Sequence, residues 1–139
     1  MPLSPNGRPP FRADHIGSLL RPATLREAFK QFAAGEMGEA EFRRIQDESI
    51  REVIRLQESA GLQVVTDGEF RRASYWGRFV GLIEGFVIKE AQFKFHDEHG
   101  HETAFTAPHV VGRLKRKASS GLEEFNFVNP LTRAVPKIT

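Results

Sequence analysis

Hydrophobic positions recur along this chain with two different periods. Leu25, Ala28, Phe29, Phe32 and Ala33 follow helical spacing after Pro22, and Gly35 is a natural stop. A longer stripe of Phe42, Ile45, Ile50, Val53, Leu56 and Ala60 predicts a second helix over 39–60. Arg43, Asp47, Glu48, Arg51, Arg55 and Glu58 mostly face water there, and Gly61 caps the helix. The β-branched run from Leu62 to Thr66 suits a buried parallel strand, and Phe11 to Ile16 predicts a short strand ahead of the first helix. Strand, helices, strand is the grammar of a parallel α/β protein.

The second half changes character. Phe86 to Phe95 reads as a strand, with Phe93 and Phe95 alternating with Gln92, Lys94 and His96. A polar tip over 96–102 leads to a second strand from Phe105 to Leu114, interrupted by Pro108, so an antiparallel hairpin is expected. Lys115-Arg116-Lys117 reads as a basic turn, Asn129-Pro130 as the start of a short helix and Val135 to Thr139 as the beginning of a further strand.

Composition narrows the function classes. The 139 residues, 40% of them hydrophobic, fit one globular domain over 11–139 behind a flexible, Pro-rich leader at 1–10. With no cysteine there is no disulfide framework, no thiolate metal site and no cysteine nucleophile. No apolar run approaches the roughly 18 residues of a membrane span, and the polar leader does not resemble a secretion signal. A cytoplasmic protein that binds no membrane is expected. Twenty basic residues against 18 acidic ones leave a charge of only +2, with the signs interleaved, which argues against a nucleic-acid partner.

Two segments each end a predicted parallel strand, where the ligand-facing loops of α/β proteins lie. The first is Asp14-His15-Ile16-Gly17-Ser18 and the second runs from Thr66 to Arg72. A turn at Gly17 with the Ser18 hydroxyl can grip a carboxylate through main-chain N–H groups. Glu69, after a turn at Gly68, can project a carboxylate into the same mouth. Together they would complement the two charged ends of an amino acid. In the plainer reading the glycines merely make turns, and Asp67 and Glu69 cap the following segment.

These stretches carry a family resemblance. Phe11-Arg12-Ala13-Asp14-His15-Ile16-Gly17-Ser18-Leu19-Leu20-Arg21-Pro22 resembles the opening of cobalamin-independent methionine synthase-like proteins. Gln57 to Leu62 followed by Val64 to Arg72 resembles their second signature, and Val135 to Thr139 the start of their next strand. The resemblance implies part of a (β/α)8 TIM barrel: its first βα units plus an antiparallel hairpin excursion. It implies methyl transfer from methyltetrahydrofolate to homocysteine, with a zinc ion held by His, Cys, Glu and Cys activating the thiol. It places Ile16, Gly17 and Ser18 on the amino acid's carboxylate and Glu69 on its amino group. The family's zinc ligands fall in later strands, and 139 residues are too few for a barrel of about 250. The expectation is an N-terminal portion of the enzyme, without catalytic residues or bound cofactor of its own and inactive alone. It should associate with its own copies or with a missing C-terminal part. The alternative is a non-catalytic small-ligand or interaction module built from a shortened barrel.

Other residues are candidates beside these. His15 suits a hydrogen-bond donor to substrate, an orienter of Glu69, or a structural histidine. Arg71, with Arg72, can attract an acidic folate tail or pair with helix carboxylates. Trp76, after Tyr75, can line a pocket or simply pack. His96, His99 and His101, with Asp97 and Glu98, form the densest set of potential metal ligands, at a tip where solvated polar residues are also the default.

Overall fold

The computed structural model describes residues 15–91, 94–96, 98–103 and 105–139; the predicted leader and residues 11–14 of the first predicted strand lie outside them. His15 and Ile16, the described end of that strand, are not in a strand.

Helices α1 (Ala23–Ala33) and α2 (Glu39–Ser59) form where the apolar periodicity places them. Both end in the same way. Gly35 and Gly61 take left-handed φ angles of 74° and 80°. Their N–H groups bond back to Phe32 and Glu58, and the next residues, Glu36 and Leu62, reach Gln31 and Gln57. Only glycine enters that conformation cheaply, so these two positions set where each helix stops.

One expectation about α2 is corrected. Leu56 is 66% exposed, whereas Gln57 is buried, as are Gln46 and Ser49. The buried face runs Phe42, Gln46, Ser49, Ile50, Val53, Ile54, Gln57, one helical row round from the predicted stripe. Asp47, expected in water, is drawn partly inward by an ion pair with Arg71 at 2.6 Å.

Strand β1 (Val64–Val65) pairs in parallel with the late strand Val135–Pro136, Val64 opposite Val135 and Val65 opposite Pro136. The N–H groups of Val135 and Lys137 donate to the carbonyls of Gln63 and Val65, both at 2.9 Å. The core under this pair joins Leu25, Ile50, Val53, Ile54, Val65, Phe70 and Val128, ringed by Leu19, Phe29, Ile45, Phe127, Leu131, Ala134 and Ile138.

Residues 76–120 form a second compact unit, the first comprising 1–75 and 121–139. The second contains α3 (Gly77–Gly81), β2 (Ile83–Glu90), β3 (Phe95–His96), β4 (Glu102–Thr103) and β5 (Thr106–Arg116). Strands β2 and β5 pair antiparallel, as do β3 and β4, so the expected hairpin is present. Its first strand starts earlier and stops at Glu90 rather than Phe95. Lys115 and Arg116 are not a turn, because they end β5 opposite Glu84 and Ile83. Pro108 sits within β5 opposite Ile88; a two-stranded sheet has only edge strands, where a missing N–H is tolerated. A bulge falls at Gly85, whose φ is 90° and where a Cβ would lie 2.7 Å from the Arg113 carbonyl oxygen.

The chain then returns to the first unit through α4 (Leu122–Val128), a helix the periodicity did not reveal, and a 3-10 turn at Asn129–Leu131, before β6 (Val135–Pro136). The described residues make a mixed α/β fold with one parallel strand pair and an antiparallel hairpin.

Candidate functional site

The site is built where β1 ends. Thr66 and Asp67 are buried, so their polar groups need internal partners. Gln57 supplies those of the Thr66 main chain. Its amide oxygen accepts the Thr66 N–H at 2.9 Å, and its amide nitrogen donates to the carbonyls of Thr66 at 2.9 Å and Val53 at 3.0 Å. The Thr66 hydroxyl accepts the Gly68 N–H at 3.1 Å, and Asp67 Oδ1 accepts the Glu69 N–H at 2.9 Å.

These bonds shape a sharp turn. Gly68 has a φ of 68°, and Glu69, at 57°, is the one non-glycine with positive φ among the described residues. An ordinary residue held there is strained and persists only where its surroundings dictate it. A Cβ on Gly68 would lie 2.9 Å from the Phe70 ring and 3.3 Å from Leu19 Cβ, so the glycine is required by space as well.

The loop at 15–22 is fastened to this turn. The Leu19 N–H donates to the Gly68 carbonyl at 3.1 Å. Arg21 Nη2 donates to the Glu69 carbonyl at 3.3 Å and also to that of Arg72, while its guanidinium lies 5.0 Å from the centre of the Phe29 ring. His15 Nδ1 lies 3.1 Å from Gln57 Oε1, and the His15 carbonyl accepts from Lys137 Nζ at 2.8 Å. The Ile16–Ser18 turn and Glu69 therefore belong to adjoining loops. Gly17 has a φ of 82° with nothing within 4 Å of a Cβ, so backbone conformation alone requires glycine there. Ile16 and Ser18 are exposed.

Electrostatics divide the two carboxylates of the turn. The Glu69 side chain is only 12% exposed and faces Arg72 Nη1 at 3.7 Å. Asp67 is pushed above the usual carboxylate range, chiefly by burial and further by the nearby Glu124 carboxylate, against the opposing pull of the Glu69 N–H, Arg72 and Arg71. Its Oδ2 is buried without a hydrogen-bond partner among the described residues. Arg71 turns toward α2, pairing with Asp47 and stacking on Phe127 at 4.6 Å; Arg51 lies 5.1 Å from the same ring.

The remaining candidates lie in the second unit. Trp76 precedes α3 and is half-buried. His96, His99 and His101 are exposed around the hairpin tip, with His99 Nε2 3.8 Å from Glu98 and its ring 6.2 Å from that of His101. Asp97 lies outside the described residues, and among those described no three His, Asp or Glu side chains are grouped to hold a metal ion. Gln57 and Arg21, which tie the two loops together, were not singled out from the sequence. Both fall within the two motifs, but a polar residue beside a helical stripe or ahead of a helix carries no local signal of the distant group it will meet.

A parallel strand pair packed against helices defines an α/β protein, and in that class ligands bind outside the carboxyl ends of the strands. The chain belongs to the family of the cobalamin-independent synthase catalytic domain, whose model matches residues 11–137. It is 38% identical over 134 residues to the uncharacterized protein YxjH of Bacillus subtilis, covering 94% of this chain and 34% of that protein. It is 30% identical over 122 residues to a methionine synthase of Sulfolobus acidocaldarius, covering 84% and 33% respectively. A solved structure from Listeria monocytogenes, described as a candidate vitamin-B12-independent methionine synthase, superposes with a TM-score of 0.67 at 26% identity, over 91% of this chain and 35% of that one. The chain thus spans about a third of the length of these relatives. No helix among the described residues is long and apolar enough to cross a membrane.

Proposed function

We propose that this chain forms the first βα units of a methionine synthase-type TIM barrel and presents part of its amino-acid pocket. The observation that supports this reading is the bond from Leu19 N–H to the Gly68 carbonyl, which fastens the loop carrying Ile16–Ser18 to the turn carrying Glu69. Main-chain N–H groups at Gly17 and Ser18 would take the carboxylate of homocysteine or methionine, and Glu69 would take its ammonium in place of Arg72. The methyl donor in the complete reaction would be methyltetrahydrofolate.

A thiolate-rich zinc site does not fit the residues present. The sequence has no cysteine, and the described residues offer no three-ligand cluster. Thiol activation would therefore fall to residues outside this chain. The catalytic competence of the chain would depend on a partner that completes the barrel, either its own copies or a C-terminal portion.

Calorimetric titration with L-homocysteine and L-methionine tests the pocket. Saturable binding is expected, and Glu69→Ala should weaken it by about 1.5–3 kcal/mol through loss of a charge-assisted contact. Equal affinity in wild type and variant removes Glu69 from the site.

A further inference from the structure

Gln57, on α2, does more than pair the main chain at the end of β1, because it also meets the ring of His15. The glutamine amide cannot be turned over. Its nitrogen faces two carbonyl oxygens, of Val53 and Thr66, and its oxygen faces the Thr66 N–H. That oxygen only accepts hydrogen bonds. His15 Nδ1, 3.1 Å away, must therefore be the donor. In a neutral imidazole with a proton on Nδ1, the other nitrogen is an acceptor.

We propose that Gln57 is a positioning residue that fixes neutral His15 as its Nδ1–H tautomer, so that Nε2 of His15 meets a ligand as a hydrogen-bond acceptor. The main chain reinforces this. The His15 carbonyl is held by Lys137, the residue after β6, so His15 is pinned through its side chain by α2 and through its backbone by the chain following β6. His15 directly precedes the Ile16–Ser18 turn. An acceptor there selects ligands with a proton to give, such as an ammonium or thiol, and offers nothing to a second carboxylate. The ligand class rests on the pocket reading above; the tautomer does not.

The test needs no ligand for its first part. Two-bond proton–nitrogen correlation spectra of the 15N-histidine-labelled full chain would be recorded about two pH units above the ordinary imidazole value. The expected pattern is a protonated Nδ1 and a bare Nε2 for His15. The Nε2–H pattern, or an averaged one, overturns the proposal even if methionine binds. Gln57→Leu should release the ring to an averaged pattern. Should that variant fail to fold, Gln57→Glu, which keeps an acceptor oxygen, is expected to retain the Nδ1–H pattern; an Nε2–H pattern there counts against Gln57 as its cause.

For the ligand, His15→Asn keeps an N–H near Gln57 but has no atom at the position of Nε2, its own amide oxygen falling short of that point. It should weaken L-homocysteine binding about tenfold or more while leaving the far-ultraviolet spectrum unchanged. Unchanged affinity overturns the acceptor role. Absence of binding to the wild type refutes the pocket and with it the ligand role, while the spectra still decide the tautomer.

Discussion

The two compact units use similar residues to different ends. In the first, Leu25, Ile50, Ile54, Val65, Phe70 and Val128 are almost wholly buried, and helices α1, α2 and α4 supply side chains to one core around a two-residue strand. In the second, an eight-residue and an eleven-residue strand pair along much of their length, yet Ile88, Val110, Val111 and Leu114 stay exposed and, among the described residues, Val80 is the buried hydrophobic side chain. The longer ladder therefore has the thinner core. Backbone pairing gives net stability of only about 0.5–1.5 kcal/mol per bond, whereas each well-buried aliphatic side chain contributes roughly 1.5–3 kcal/mol. An isolated two-stranded hairpin is marginal for the same reason. The polar turn at Gly68 and Glu69, fastened to Leu19, lies in the unit with the deeper core, which can hold a strained residue in place.

Core truncation should break this contrast most strongly. Ile50→Ala is expected to cost about 2–5 kcal/mol in urea unfolding, because its buried position cannot refill. Val110→Ala on the exposed hairpin face should stay within about 0.5 kcal/mol. A comparable loss at both positions would mean that the hairpin face is covered in solution.

Glycine substitutions give a smaller effect. Gly68→Ala combines a positive φ with contact against Phe70 and Leu19, and should destabilise by about 1–3 kcal/mol. Gly112→Ala, whose nearest neighbour to a Cβ lies 4.0 Å away, should be neutral or slightly stabilising. Thermal melts of the two variants compare them directly.

The smallest effect is in pH dependence. Burial raises the Asp67 carboxyl above its unfolded value, so the native state binds that proton more tightly. Its contribution to stability falls as pH rises from the ordinary carboxylate value through the raised one, then stays constant. Glu58 acts oppositely: the Thr132 hydroxyl and the Arg133 N–H stabilise its charged form, so its contribution is present above the ordinary value and fades as pH falls through the lowered one. Asp67→Asn keeps an oxygen for the Glu69 N–H and removes the first trend. Its melting temperature should rise relative to wild type as pH increases from 4 to 7; parallel curves would show that Asp67 does not titrate there.

Much of the architecture was legible in local patterns. The two helices and their glycine stops, the parallel strand after Gly61 and the later hairpin all follow from residues within a few positions of one another. So did the turns at Gly17 and Gly68, because left-handed backbone is a local demand for glycine; the strand expected before Gly17 did not, since His15 and Ile16 are not in a strand. Helix α4 escaped notice: Leu122, Phe125 and Val128 share a face, but only Val128 is buried. The inward rotation of α2 that buries Gln57 and exposes Leu56 was equally hidden.

What the order of residues determined alone is the set of elements and the places where the chain must turn, since propensity, periodicity and left-handed backbone are properties of short segments. What folding in three dimensions decided is which polar groups meet. Gln57 and His15 lie 42 positions apart and Lys137 and His15 lie 122 apart. Their pairing follows from the need of buried main-chain groups at the end of β1 for partners once water is excluded, a need that arises only when the core closes.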